Sequence, residues 1–339
     1  MRALPRGGLT EQHGEKPGRG AMTVIRGTDA GLVSNHRPLD AFAVLSMLLL
    51  CLTWGFNQVA IKLVMTEVPP YLQALLRSVG GLLVVLVVAW LRGVSLFRRD
   101  RTLLSGIVAG LLFAFEFILM YRGLQLTTAA RAIVFLYVAP FVVALGSYHF
   151  LGERLRWIQW AGMGLSFAGV ATAIGVPQPN VDRSVLLGDL YLVGAGVLWA
   201  ATTLVVKASA LASAPAEKTL GYQLAVSVPV LALAAMLAGE RLTHVPGPMV
   251  LSLLAFQAIW VAGLTFLLWF VLVRAYSASK LSAFSFITPL FGVAAGYLIM
   301  DDPLTLAFGI AAVLVAAGLY LVNRPARDAT DPLMNPSET

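Results

Sequence analysis

The chain has 339 residues, of which 58% are hydrophobic and 12% charged, and its mean hydropathy is +0.81. Soluble domains run near 45–50% apolar and about 25% charged, so lipid is the solvent for most of this chain. The net charge of +7 does not mark a nucleic-acid binder, because the basic residues lie in short pieces between hydrophobic runs, where they act as a topology signal.

Residues 1–38, rich in Gly, Arg, Thr and Pro and without an apolar core, read as a disordered cytoplasmic tail and contain no signal peptide. After them come ten runs, each near the roughly 20 apolar residues that a membrane helix needs. They are 40–64, 72–91, 102–121, 130–150, 156–175, 187–207, 218–238, 249–273, 280–300 and 304–322. The linkers are short and hold most of the Pro and charge, as in "TEVPP", "RGVSLFRRDR", "GERLR" and "MDDP". The chain ends in a second tail, 324–339. With both termini in the cytoplasm, the inner segments hold 17 Lys and Arg and the outer ones 4, which the positive-inside rule favours. The single cysteine, Cys51, allows no intramolecular disulfide. The four histidines show no ligand spacing, so neither metal nor cofactor is expected.

The first span contains "WGFNQVAIK" (54–62), and the sixth contains "WAATTLVVK" (199–207) at an offset of 145. Further on, "RAIVFLYVAPFVVALGSYHFLGE" (131–153) lies over "KLSAFSFITPLFGVAAGYLIMDD" (280–302) at an offset of 149. A five-span unit is therefore used twice, as 39–176 and 187–323 joined by an external linker at 177–186. Because five is odd, the second copy must enter from the opposite face. Inverted repeats with a site between them are the architecture of many secondary transporters. The expected fold is all-α and integral to the membrane, with ten helices in two inverted five-helix repeats around a central cavity.

These pieces resemble the drug/metabolite transporter superfamily, in particular its EamA-type exporters. The residues that carry the resemblance are "WGFNQVAIK", "LLRSVGGLL" with Arg77, and "TTAARAIVFLYVAPFVVAL…FLGERLRWIQWAGMGLSFAGV", answered by "SKLSAFSFITPLFGVAAG". "MDDP" departs from the usual "GE" of the second copy. The resemblance implies export of small metabolites or drugs from the cytoplasm with no ATP site, and the sequence has no phosphate-binding G-x-x-x-x-G-K-[ST].

Polar side chains inside spans are costly unless they face protein or water. Trp54, Asn57 and Gln58 fall at i, i+3 and i+4 and share a face, which Lys62 is expected to extend. The second copy offers Trp199, Thr202, Thr203 and Lys207. These stripes are expected to line the cavity; the competing reading is interhelical hydrogen bonding. Lys62, Arg77 and Glu116 form a candidate charge cluster toward the outer side. It serves either as a buried ion pair or as a proton-coupling site in which Glu116 takes up a proton. Pro140 and Pro289 lie at mid-span, where they would free the carbonyls of Leu136 and Ser285 and act as paired hinges or as kinks without function. Tyr137, Ser285, Gln257 and Trp260 are further candidates for contact with a ligand. Glu153 of "GER" is expected to favour the N-terminus of the helix that follows it, and Asp302 to cap the last span.

The function expected is a secondary exporter of amino acids, amphipathic compounds or drugs across the cytoplasmic membrane of a bacterium. A lipid or lipid-linked-sugar flippase, or a facilitator independent of protons, is the alternative. No catalytic constellation supports an intramembrane enzyme. The expected partners are a small-molecule substrate, the bilayer and protons, not nucleic acid, with the chain a monomer or homodimer.

Overall fold

The computed structural model describes residues 38–96, 98, 100–127, 129–174, 182–300 and 306–324. The tail expected at 1–38, except its last residue, lies outside them, as do the first half of the linker (177–181), all but Arg324 of the C-terminal tail, and the Asp302 cap.

The chain is a bundle of helices. In the first repeat they are α1 (Ala41–Val64), α2 (Pro70–Leu91), α3 (Leu103–Leu126), α4 (Ala129–Leu136), α5 (Ala139–Leu151) and α6 (Trp157–Ile174). In the second they are α7 (Arg183–Ala208), α8 (Ala216–Leu237), α9 (Pro248–Ala255), α10 (Phe266–Ala275), α11 (Ala278–Phe284), α12 (Thr288–Met300) and α13 (Leu306–Asn323). A π-helical stretch, Phe256–Thr265, joins α9 to α10. Among the described residues, nine helical segments are long and apolar enough to cross a membrane. The tenth, α6, has 18 residues and carries Gln159 and three glycines.

Contacts between helix ends show the inversion. At one end Tyr276 donates to Asp40, Lys207 donates to the Tyr276 carbonyl, Arg92 pairs with Glu217, and Arg156 donates to the Arg324 carbonyl. The start of α1 and the end of α13 therefore lie at this end, called here the Asp40 end. At the far end Thr127 meets Asp189 near the start of α7, and the Glu67 carboxylate accepts from the Gly247 N–H. The first repeat thus begins at the Asp40 end and the second at the far end.

Small residues set the closest helix contacts. A Cβ on Gly55 would lie 2.8 Å from both the Gly292 nitrogen and the Thr288 carbonyl oxygen. Gly106 and Gly110 face Tyr222 and Val226 on α8, while Gly162 and Gly169 bring α6 against α13. Gly164, on the same helix, faces open space.

Three local features depart from the sequence reading. The fourth and ninth spans are broken, not merely kinked. Pro140 sits in the first turn of α5, where its missing N–H costs nothing, and Pro289 is the second residue of α12. The Ser285 carbonyl is not freed, because a 3-10 turn over Ser285–Ile287 lets it accept the Thr288 N–H. The eighth span changes to π geometry in the segment that packs on α2, where Gly80 and Gly81 receive Ala258 and Ala262.

Candidate functional site

A cavity lies between the repeats, walled by α1, α2, α3 and the α4–α5 break from the first and by α7, α8 and the π–α10 segment from the second. Its empty space is about 840 Å³ with the open mouth included, room for one small metabolite.

The wall is aromatic. Trp54 and Trp269 meet edge to face with ring centroids 5.7 Å apart, Trp199 and Trp269 are 6.4 Å apart, and Tyr137 lies 6.2 Å from Trp199. Gly196 lets α7 approach the α4–α5 break closely, since a Cβ there would sit 2.6 Å from the Leu136 carbonyl oxygen. The Trp54 indole N–H donates to Thr265 Oγ1 at 3.1 Å, joining the first helix to the π segment of the other repeat.

Polar groups interrupt this wall. Arg77 is fully buried, with its guanidinium 3.9 Å from the centre of the Phe117 ring and 5.7 Å from that of Phe266. Its Nε and Nη2 have no hydrogen-bond partner, and neither do Glu116 Oε2 and Asn57 Oδ1. Buried polar atoms are nearly always satisfied, and leaving one unmade costs roughly 1–3 kcal/mol. Several such atoms around one cavity mark a place that water or a ligand completes. The Thr202 and Thr203 hydroxyls donate back to the carbonyls of Leu198 and Trp199, so toward the cavity they act as acceptors.

The structure therefore brings together Trp54, Asn57, Gln58, Arg77, Glu116, Tyr137, Trp199, Thr202 and Thr203. The other candidates lie elsewhere. Lys62, one turn beyond Gln58, is exposed and does not line the cavity. Lys207 bonds the Tyr276 carbonyl at the Asp40 end. Gln257 is buried between helices, accepting from Gln73 Nε2 at 2.9 Å. Trp260 faces outward and donates to Thr53 Oγ1 at 3.2 Å. Ser285 is buried and donates to the Ser282 carbonyl. Pro140 and Pro289 flank the cavity without lining it. Lining residues that the sequence reading missed include Gln223, Phe113, Phe117, Phe266 and Trp269, which sit in spans where only the fold tells a cavity face from a packed one.

A second polar assembly closes the Asp40 end. Glu153 does not serve the helix that follows it, where Gln159 Oε1 accepts the Arg156 N–H instead. It reaches across to the second repeat and caps α11, accepting from the Ser277 hydroxyl at 2.8 Å, the Ser279 hydroxyl at 2.7 Å and the Ala278 N–H at 3.2 Å. Gly152, with φ of 68°, makes the turn that aims Glu153 this way. Burial pushes the Glu153 carboxyl up, but the Ser279 and Ser277 hydrogen bonds outweigh it and hold the group below its ordinary range.

A cavity at the interface of two inverted repeats in a membrane bundle defines a transporter. A family model described as the EamA-like transporter family matches residues 41–175 and again 186–324, and the chain belongs to that family. It is 28% identical over 285 residues to a probable amino-acid metabolite efflux pump of Escherichia coli (strain K12), spanning 81% of this chain and 92% of that one. It is 24% identical over 279 residues to the Bacillus subtilis (strain 168) transporter YoaV, spanning 82% of this chain and 95% of that one. One solved crystal structure superposes with a TM-score of 0.72 at 23% identity, over 84% of this chain and 96% of that one, and so shares the fold.

Proposed function

We propose that this transporter exports a small amphipathic organic acid or amino acid from the cytoplasm across the bacterial inner membrane, by alternating access of the central cavity and with proton entry as the driving force. The observation that carries this reading is the cavity itself, an aromatic box that holds a buried cation and a buried carboxyl, each with unpartnered atoms. The aromatic faces suit an apolar body, and the Arg77 guanidinium suits a carboxylate. The charged pair at mid-bundle suits coupling, because intramembrane ionisable groups commonly mark proton relays. The efflux-pump name of the Escherichia coli relative supports amino-acid-like compounds as the first to test.

Orientation follows from charge. The basic residues gathered in the segments of the Asp40 end support a reading with that end in the cytoplasm and the Arg77–Glu116 half of the cavity toward the outside. The test is transport by the purified chain in liposomes against a panel of amino acids and aromatic acids, with and without a pH gradient. Accumulation of at least one compound, enhanced by the gradient, is expected. Movement of no panel compound, or only of labelled lipid, overturns the reading.

A further inference from the structure

The two repeats place unlike groups at equivalent positions, three of them on the cavity wall. Arg77 comes seven residues after the first residue of α2, and Gln223 seven after that of α8. Glu116 comes ten residues before the last residue of α3, and Thr265 ten before that of α10. Phe117 and Phe266 follow them at matched places, and both face the Arg77 guanidinium. The first repeat thus supplies a cation and a carboxyl where the second supplies an amide and a hydroxyl.

Gln223 is the less expected of these. It lines the cavity, is fully buried, and neither its Nε2 nor its Oε1 has a hydrogen-bond partner among the described residues. A glutamine held this way in a packed helix costs stability unless something completes it. Helices α2 and α8 run antiparallel and have 22 residues each, so with their ends level Arg77 and Gln223 stand about 10 Å apart along the bundle.

We infer that Gln223 is the residue that fixes specificity for the uncharged end of the substrate, and that the substrate carries one carboxylate for Arg77, an apolar or aromatic body, and at its other end a neutral group that both donates and accepts hydrogen bonds. This rests on the exporter reading. An amide with both atoms free pairs reciprocally with a carboxamide or similar group. It offers no compensation to a second carboxylate, which would be desolvated beside a neutral partner. A site built to hydrogen-bond one group strongly rejects the analogue lacking it, because its own polar atoms are then left unpaired.

The experiment uses the full chain in nanodiscs and follows tryptophan emission, to which Trp54, Trp199 and Trp269 of the cavity wall contribute. The probes are 3-(4-carbamoylphenyl)propionate, 3-phenylpropionate and 3-(4-carboxyphenyl)propionate. The wild-type chain should bind the carbamoyl probe about tenfold more tightly than 3-phenylpropionate, and the dicarboxylate most weakly. Gln223→Leu should erase that preference, leave 3-phenylpropionate binding within about twofold, and melt higher than wild type in the absence of ligand, because two unsatisfied buried atoms are gone. Gln223→Met should behave the same way and serves if the leucine variant does not fold. Gln223→Arg should move the preference to the dicarboxylate. A carbamoyl preference that survives in the leucine or methionine variant, or a lower melting temperature in both, overturns the inference, as does a wild-type chain that binds none of the three probes. A chain that discriminates the probes through Gln223 yet transports nothing from the panel overturns the exporter reading alone.

Discussion

The Arg77 guanidinium carbon lies over the Phe117 ring, 3.9 Å from its centre, and its charge is met by an aromatic ring and not, among the described residues, by a bonded carboxylate. The wild-type side chain therefore depends on its planar shape as well as its charge. Lysine keeps the charge but loses the fork and the stacking surface. Arg77→Lys should leave the chain folded and reduce transport more than tenfold, whereas Phe117→Leu, which removes only the stacking face, should cost about 1–2 kcal/mol of stability. Transport rates in liposomes and melting temperatures in detergent check both. Equal transport by the lysine variant would mean that Arg77 acts only as a distant charge.

The closest helix contact gives a second test. At Gly55 an added methyl meets backbone atoms of α12 at 2.8 Å, and backbone cannot move aside cheaply. Gly55→Ala should destabilise by about 1–3 kcal/mol, as overpacking generally does. Gly164→Ala, on α6 with open space around it, should be neutral or stabilising by up to about 1 kcal/mol from helix propensity. A tolerated Gly55→Ala would mean that α1 and α12 are not locked together in the conformation described here.

How far the sequence could be read differs from residue to residue. The Trp54–Asn57–Gln58 stripe was legible because three positions at helical spacing are polar or amphipathic in an apolar run. Lys62 was misplaced because charge in a span was taken as membership of the stripe; it follows Gln58 by one turn, yet its side chain is exposed and the cavity wall does not include it. Gln223 was passed over for the opposite reason: an isolated glutamine in α8 has no local pattern, and only the alignment of α2 with α8 gives it the repeat position of Arg77. The π segment could not be read either, since its register follows from the packing of Ala258 and Ala262 on the α2 glycines. Glu153 was given the right chemistry and the wrong helix, because a cap is chosen by distance in space, not in sequence.

That cap yields a pH prediction. The folded-state pKa of Glu153 lies below its ordinary value, so its contribution is present above the carboxylate range and is lost as pH falls through the depressed value. Stability of the Asp40 end should be flat from neutral pH down to about 5 and decline below that. Glu153→Gln should remove the acid-dependent part and lower the melting temperature at pH 7, with Ser279→Ala showing a smaller loss of about 1 kcal/mol. Hydrogen exchange of the α11 amides at pH 7 and pH 4 is the measurement. Protection in the glutamine variant equal to wild type at pH 7 would show that the cap does not hold the two repeats together.

Glu116 allows the sharpest test of coupling. It sits buried in α3 at the cavity, Oε2 has no hydrogen-bond partner, and Arg77, the charged group that faces it, shares no direct hydrogen bond with it. A structural counter-ion would be expected to engage its cation with both oxygens satisfied, since a half-satisfied buried pair is unfavourable. An oxygen left free at a cavity wall suits a group that gains and loses a proton as the cavity changes sides. Glu116→Gln keeps the shape and fixes the group neutral. The variant should fold as stably as wild type, bind substrate and exchange it across liposomes without a gradient, yet lose pH-driven accumulation. Were Glu116 a counter-ion instead, the same variant would lose about 3–5 kcal/mol of stability, and neutralising Arg77 as well would restore it. Wild-type accumulation in a stable Glu116→Gln chain would remove both roles and place the coupling site elsewhere in the bundle.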